Sequence, residues 1–209
     1  MEAIGNISEK ARASMPFQPA ATALLMIDMQ LGFIDPASSL CIAGAAGTIG
    51  ACRQMLDIAR AASIPVIHVR REYAADGSDV EPVRRQIWED GGRPLSSAWP
   101  ESLLPPKKLE PLKGEEILIK PNFSAFFGTD LHDRLQREGV KSLILIGTTT
   151  PNCIRSTCYD ALSHGYDVAV VSDATSSRTP EVQQANLADM DFIGATVCSV
   201  EELEGLMKH

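Results

Sequence analysis

The sequence lacks a long hydrophobic run and a surplus of basic residues, and each absence excludes a class of protein. No apolar run approaches the roughly 20 residues that a helix needs to cross a bilayer. The net charge is -8, from 19 basic and 27 acidic side chains. An acidic chain is a poor ligand for nucleic acid or for an anionic membrane. We therefore expect neither as a partner.

The sequence also lacks a paired cysteine pattern. It contains five cysteines, an odd number, and no C-x-x-C pair. This argues against a disulfide framework or a structural zinc site and is typical of the reducing cytosol. The first residues, MEAIGNISEKARASMPFQPA, do not combine a basic segment with a following apolar one, so they do not resemble a secretory signal. We expect a cytoplasmic protein.

The length and composition predict one domain. A chain of 209 residues with 44% hydrophobic residues matches the size of a single core. Residues 1–20 are mixed and polar, and we predict an N-terminal arm that lies over the surface or across a partner subunit. Residues 21–209 form the predicted domain.

Short apolar runs alternate with helical patterns along most of the chain. The predicted strands cover residues 21–30, 64–72, 115–121, 141–147, 166–173 and 195–200. The predicted helices cover residues 47–63, 129–139, 152–165, 180–194 and 201–208. This order predicts an α/β fold, a three-layer α/β/α sandwich whose mainly parallel, doubly wound sheet has about six strands. Residues 73–114 hold many of the prolines and glycines, and this pattern predicts a long excursion with short helices.

Three reactive side chains stand where predicted strands end. Asp28 closes the first strand, Lys120 closes the third and Cys153 follows the fourth. Ligands of parallel sheets bind beyond the carboxyl ends of the strands, so we expect these side chains on one rim. A helix start offers free N–H groups and a positive dipole end, which favour a thiolate and accept an oxyanion. Asp28 is placed to take the thiol proton, and Lys120 to orient that carboxylate.

Each of the three residues also has a structural interpretation. A single cysteine is commonly part of the core, an aspartate after a strand often caps a turn, and a lysine there is usually solvated. The three residue types together on one rim favour a functional site.

Three blocks of the sequence carry a resemblance to a known family. ALLMIDMQLGFID, ILIKPNFSAFFGTDL and LILIGTTTPNCIRSTCYDAL resemble, in order, the signature blocks of the isochorismatase-like cysteine hydrolases. The resemblance implies a catalytic triad of Asp28, Lys120 and Cys153. It also implies a cis peptide bond between Thr148 and Thr149 and an oxyanion hole formed by the N–H groups of Thr149 and Cys153.

Departures within this resemblance narrow the expected activity. Isochorismatases proper generally lack the nucleophilic cysteine, so Cys153 favours cleavage of a C–N bond in a small amide, ureido or carbamoyl compound. The metal-independent branch that includes N-carbamoylsarcosine amidohydrolase is the most similar. Nicotinamidases bind a metal through an Asp-x-His pair and a further histidine, whereas LGFIDPASSLCIAGAAG contains no histidine. We predict no metal and no cofactor, and nicotinamide is a disfavoured substrate. The family also implies a homodimer or homotetramer.

Four residues near predicted strand ends are candidates for substrate contact. They are Gln30, Phe33, Tyr73 and Phe127. For the aromatic residues the alternative is packing under loops or between subunits, and for Gln30 it is a structural hydrogen bond. Arginines at strand and helix ends are open candidates for binding a substrate carboxylate, with a solvated or ion-paired role favoured: Arg70, Arg71 and Arg155.

Two hypotheses from other functional classes stay open. The chain could be a redox sensor of the same fold in which Cys153 is an oxidisable thiol. It could also bind a nucleotide, although no G-x-G-x-x-G follows the first strand.

Overall fold

The computed structural model describes residues 17–207. Most of the predicted N-terminal arm, residues 1–16, therefore lies outside the described residues. Within the described range, six parallel strands form one sheet in the order β3-β2-β1-β4-β5-β6. The strands are β1 (Thr22–Ile27), β2 (Val66–Arg71), β3 (Glu116–Lys120), β4 (Ser142–Thr148), β5 (Asp167–Ser176) and β6 (Thr196–Cys198). The predicted α/β sandwich with a parallel sheet is confirmed.

Helices connect these strands and cover both faces of the sheet. They are α1 (Leu31–Ile34), α2 (Ile49–Ala61), α3 (Pro82–Asp90), α4 (Leu131–Arg137), α5 (Arg155–Ser163), α6 (Pro180–Phe192) and α7 (Val200–Met207). Short 3₁₀ turns stand at Pro19–Ala21, Ala45–Thr48, Pro100–Leu103 and Lys107–Leu109. Among residues 17–207, none of the helices has both the length and the apolar character that a membrane span requires.

The core lies in two layers, one on each face of the sheet. Every residue of β1 is buried, and alternate residues face opposite layers, with Leu24 in one cluster and Leu25 in the other. The first layer packs under α2 and α7, and the second packs under α4, α5 and α6. Burial on both faces explains why the strand sequences are continuous apolar runs without polar alternation.

The strand order reverses between β1 and β4, and this point sets the location of the candidate site. Ile27 pairs with Gly147 where the two strands end. Gly147 has a φ of 113°, and a Cβ atom there would lie 2.0 Å from the carbonyl oxygen of Ile27. Only glycine permits this approach. In parallel sheets, a reversal of strand order opens a crevice at the carboxyl edge in which ligands bind.

The excursion between β2 and β3 shares a small core with α1, called here the excursion core. It contains Phe33 of α1 and four residues of the excursion: Tyr73, Val80, Trp88 and Leu95. The Trp88 indole Nε1 donates to the carbonyl of Pro94 at 2.7 Å. The excursion is therefore an ordered layer beside the carboxyl edge of the sheet, and it contains the predicted short helices.

A largely buried ion pair between Arg60 and Glu115, with side chains 15% and 11% exposed, lies just before β3. The Glu115 carboxylate accepts hydrogen bonds from Nε and Nη2 of Arg60, from the N–H of Leu112 and from Nε2 of His68. Burial disfavours the charged carboxylate, yet these donors lower the pKa of Glu115 from 4.5 to about 2. The folded state thus stabilises the ionised form.

Glu115→Gln is expected to lower the free energy of unfolding at pH 7 by about 2 kcal/mol, because charged hydrogen bonds are lost in a buried place. The folded pKa lies below the unfolded one, so the contribution of Glu115 is present above pH 4.5 and is lost as the pH falls towards 2. Urea unfolding of wild type and variant at several pH values tests this. The neighbouring Glu116→Gln, which breaks a half-exposed pair with Arg134, should cost less than about 1 kcal/mol. Equal losses in the two variants would contradict the assignment.

Candidate active site

The three predicted reactive residues meet at the carboxyl edge of the sheet. The Lys120 ammonium nitrogen lies 2.8 Å from Oδ2 of Asp28 and 3.5 Å from Sγ of Cys153. All three side chains are buried, with exposed fractions of 0% for Lys120, 1% for Asp28 and 4% for Cys153. The alternative that Lys120 is a solvated strand-end residue is therefore wrong. A buried lysine requires a partner, and here its partner is Asp28.

Asp28 and Lys120 lie at the ends of two different strands. Asp28 directly follows β1 in the left-handed region, with a φ of 54°, and its N–H donates to the carbonyl of Val69 on β2. Lys120 is the last residue of β3, which β2 separates from β1. Only a long side chain spans that separation. The Lys120 ammonium also donates to the carbonyl of Asn122 at 2.9 Å.

Cys153 lies in the first turn after β4. That turn is a π-helical segment, Thr150–Ile154, which continues into α5 and begins two residues before the predicted start of the helix. π-Helical turns are rare in proteins, and those that occur are often at functional sites. The peptide bond between Thr148 and Thr149 is cis, as the resemblance implied. The hydroxyl groups of Thr149 and Thr150 donate to the carbonyl of Ser176 on β5, which ties the turn to the sheet.

The environment keeps the Cys153 thiol protonated at neutral pH. Burial and the negative charge of Asp28 raise the pKa of Cys153 from 9.0 to about 11, and the Lys120 ammonium opposes the rise. Burial and the Asp28 charge therefore oppose the stabilisation of a thiolate that a helix start provides. The thiol must lose its proton during the reaction, and the adjacent Asp28 carboxylate is the group placed to take it.

The predicted substrate-contact residues lie in different surroundings. The Gln30 amide is buried and bonds both backbone groups of Arg71, which is the structural role considered for it. Phe33 and Tyr73 are buried in the excursion core, whereas the Phe127 side chain is 61% exposed. Substrate contact by these four residues stays a prediction, and the structure adds a packing or hydrogen-bonding role for three of them.

The three candidate arginines also differ in their surroundings. Arg155 pairs with Asp189 at 2.6 Å, and both side chains are about 40% exposed. Arg70 is half-buried. Arg71 is fully buried and forms an ion pair with Glu81, so a surface role is wrong for Arg71.

A cavity at the end of β5, the Ser176 cavity, was not predicted from the sequence. It measures about 340 Å³ and is lined by the segment from Thr175 to Pro180, by Gln183 of α6 and by residues near Gly44. The hydroxyl groups of Ser176 and Ser177 are buried and have no hydrogen-bond partner among the described residues. Arg178 and the start of α6 stand beside them. The run SSRTP, which begins at the last residue of β5, is the signal that could have revealed it.

A larger cavity of about 660 Å³ lies elsewhere and is lined mainly by residues of α2 and α7. Neither cavity is lined by Asp28, Lys120 or Cys153, but the smaller one lies beside the segment that follows the cis peptide's neighbour Ser176. Within residues 17–207, no group of three or more His, Cys, Asp or Glu side chains is arranged to hold a metal ion.

Comparison with known proteins finds a matching family model, similar sequences and similar solved structures. Residues 22–202 match the family model described as the isochorismatase domain. A protein of Arabidopsis thaliana named "Probable inactive nicotinamidase" is 37% identical over 87% of this chain and 93% of its own length. Maleamate amidohydrolase of Pseudomonas putida is 31% identical over 90% of this chain and 87% of its own length. The crystal structure of an isochorismatase family protein from Desulfovibrio vulgaris is 40% identical, covers 90% of this chain and 99% of that one, and superposes with a TM-score of 0.84.

Proposed function

This chain belongs to the isochorismatase family, and we propose that it hydrolyses a C–N bond of a small amide, ureido or carbamoyl compound through a covalent thioester on Cys153. The observation that carries the proposal is the contact of Lys120 with both Asp28 and Cys153 in a buried site. A base, a cation and a nucleophile within reach of one another are the parts that acyl transfer needs.

The proposed first step forms the thioester. Asp28 takes the thiol proton while Sγ of Cys153 bonds to the substrate carbonyl carbon, and the carbonyl electron pair moves to oxygen. The N–H groups of Thr149 and Cys153 stabilise that oxyanion. Asp28 then gives the proton to the leaving nitrogen, the C–N bond breaks and ammonia or an amine departs.

The proposed second step releases the product. Asp28 takes a proton from water, the oxygen bonds to the thioester carbon, and the C–S bond breaks with return of the proton to sulfur. The Lys120 ammonium stays beside the carboxylate and the sulfur throughout. It offsets the negative charge that passes between Asp28 and Cys153 in both steps.

The polar groups of the Ser176 cavity support a substrate that carries a carboxylate. Arg178, the buried hydroxyl groups of Ser176 and Ser177, and the start of α6 are suited to an anionic group. This cavity adjoins Thr149 through the bond to the Ser176 carbonyl. Maleamate, named in one relative, joins an amide to a carboxylate across two carbons, and we propose a compound of that kind.

Ammonia release from a panel of amides tests this proposal. The panel contains maleamate, succinamate, N-carbamoylglycine, nicotinamide and a neutral amide, maleamide, as the matched partner of maleamate. We expect turnover of the carboxylate-bearing amides, and Arg178→Met should raise KM for maleamate by about tenfold or more with little change for maleamide.

Two outcomes would count against the proposal. If folded wild-type protein releases nothing from the panel while Cys153 reacts normally with iodoacetamide, a non-catalytic or redox role becomes the better account. If nicotinamide is the only compound turned over, the proposed class of carboxylate-bearing substrates is wrong. The homodimer or homotetramer stays a prediction, which light scattering checks.

A further inference from the structure

Arg71 lies buried between the strand ends that deliver the proposed catalytic residues. It is the last residue of β2 and pairs in register with Lys120 on β3. On the other side, the side chain of Gln30 receives a hydrogen bond from the Arg71 N–H at 2.8 Å and donates to the Arg71 carbonyl at 2.9 Å. Gln30 is two residues beyond Asp28. The Arg71 backbone thereby joins the ends of β1, β2 and β3.

The guanidinium of Arg71 is held on several sides. Nη1 donates to the carbonyl of Pro121, and Nη2 donates to Oε1 of Glu81. The group stands over the rings of Tyr73 and Phe123, at 5.1 Å and 5.5 Å from their centroids. The second oxygen of Glu81 accepts from the Tyr73 hydroxyl at 2.9 Å. One orientation of the guanidinium satisfies all of these contacts.

Stability alone is a weak reason for this arrangement. Burying an arginine with a glutamate costs desolvation of both charges, and apolar residues of similar size often serve stability as well or better. Despite its burial, the pKa of Glu81 is lowered by the nearby Arg71 charge and by hydrogen bonds. The pair is thus charged, and its position beside the strand ends calls for another explanation.

The bond to Pro121 provides a route from Arg71 to the proposed site. Pro121 directly follows Lys120, and the Lys120 ammonium folds back to donate to the carbonyl of Asn122. The turn from residue 120 to 122 therefore sets where the ammonium lies relative to Asp28. Arg71 holds the middle carbonyl of that turn.

The Arg71 charge also acts on the nucleophile. The charged groups that face Cys153 are Asp28 from β1, Lys120 from β3 and Arg71 from β2, and the Arg71 charge lowers the pKa of the thiol. The groups around Arg71 are Glu81, Tyr73 and Arg84, whose guanidinium lies 4.9 Å from the centroid of the Phe123 ring. Glu81 is paired with Arg71 and offsets its charge, so loss of the Glu81 charge should strengthen the effect of Arg71 on the thiol.

We propose that Arg71, held by Glu81, is a positioning residue that fixes the turn carrying Lys120 and sets the charge balance around the Cys153 thiol. As a statement about catalysis, it rests on the function proposed above. As a statement about the thiol, it does not, because the reactivity of Cys153 is measurable without any substrate.

The test is the rate of iodoacetamide alkylation of Cys153 against pH, read by mass spectrometry of its peptide. Arg71→Met should move the midpoint upward, and Glu81→Gln, which leaves the arginine uncompensated, should move it downward, each by about half a pH unit or more. Arg60→Met, which breaks the largely buried Arg60–Glu115 pair just before β3, is the matched control and should leave the midpoint unchanged.

Shifts of equal sign in Arg71→Met and Glu81→Gln, or an unchanged midpoint in both, would overturn the proposal, since a purely structural pair predicts either result. Arg71→Lys keeps the charge and loses the fork of donors, so it serves if Arg71→Met does not fold. With an active substrate, Arg71→Lys should lower kcat by about tenfold while KM changes little. A protein that shows the alkylation shifts and hydrolyses nothing would refute the proposed function and retain the role of Arg71.

Discussion

Cys153→Ala is expected to lower kcat/KM for amide hydrolysis by at least about 10³-fold, the largest effect that the account predicts. Without Sγ no thioester forms, and the remaining groups bind substrate without a nucleophile beside the carbonyl. Alanine also removes little volume, so the fold should survive. Ammonia release and a thermal unfolding scan on the same sample provide the measurement.

Cys158→Ala is the matched control for this variant. Cys158 lies on α5, is fully buried and has a pKa that burial raises to about 12, so it is an inert core thiol. Its replacement should leave kcat/KM within about twofold of wild type, because it touches none of the proposed catalytic groups. Full activity in Cys153→Ala, or equal loss in both variants, would show that the nucleophile has been misassigned.

The second large effect is a divergence between two reactions of Asp28→Asn. Hydrolysis should fall by about 10²- to 10⁴-fold, because no base remains to take the thiol proton. The alkylation rate at pH 8 should instead rise at least about tenfold, since the negative charge and hydrogen bond of Asp28 both raise the pKa of Cys153. The pH midpoint of alkylation should thus fall below that of the wild-type protein.

This divergence separates a proton acceptor from a structural residue. Damage to the fold would slow hydrolysis and would expose many thiols, whereas loss of one carboxylate should accelerate the alkylation of Cys153 alone. Asp167→Asn, a partly buried carboxylate at the start of β5, is the matched control and should change neither rate. Slower alkylation in Asp28→Asn would contradict the assigned charge balance.

The sequence predicted that three reactive side chains would meet because a parallel sheet places the carboxyl ends of its strands on one edge. Asp28, Lys120 and Cys153 each stand at such an end, so the alternation of apolar runs and helical patterns was sufficient to bring them together. The six strands follow from the same alternation, because burial on both faces makes each strand a continuous apolar run.

The other features of the site depend on contacts between residues far apart in the sequence, which no local sequence pattern indicates. Glu81 meets Arg71 only because the excursion folds back on the end of β2, and the excursion has no regular periodicity. The thiol pKa depends on burial and on the Asp28 charge, which the position of Cys153 at a helix start does not indicate. The cavity at Ser176 and Arg178 forms from a loop whose direction the sequence does not encode by spacing.

The proposed thioester on Cys153 is tested most directly by measuring how the acyl group is divided between water and hydroxylamine. Two substrates that share an acyl group and differ in the leaving amine are each turned over with increasing hydroxylamine. A thioester on Cys153 predicts that hydroxamate forms at the expense of acid, with the same ratio for both substrates, because both pass through one intermediate. Acid as the sole product at every hydroxylamine concentration, or a ratio that depends on the leaving amine, would contradict a covalent intermediate.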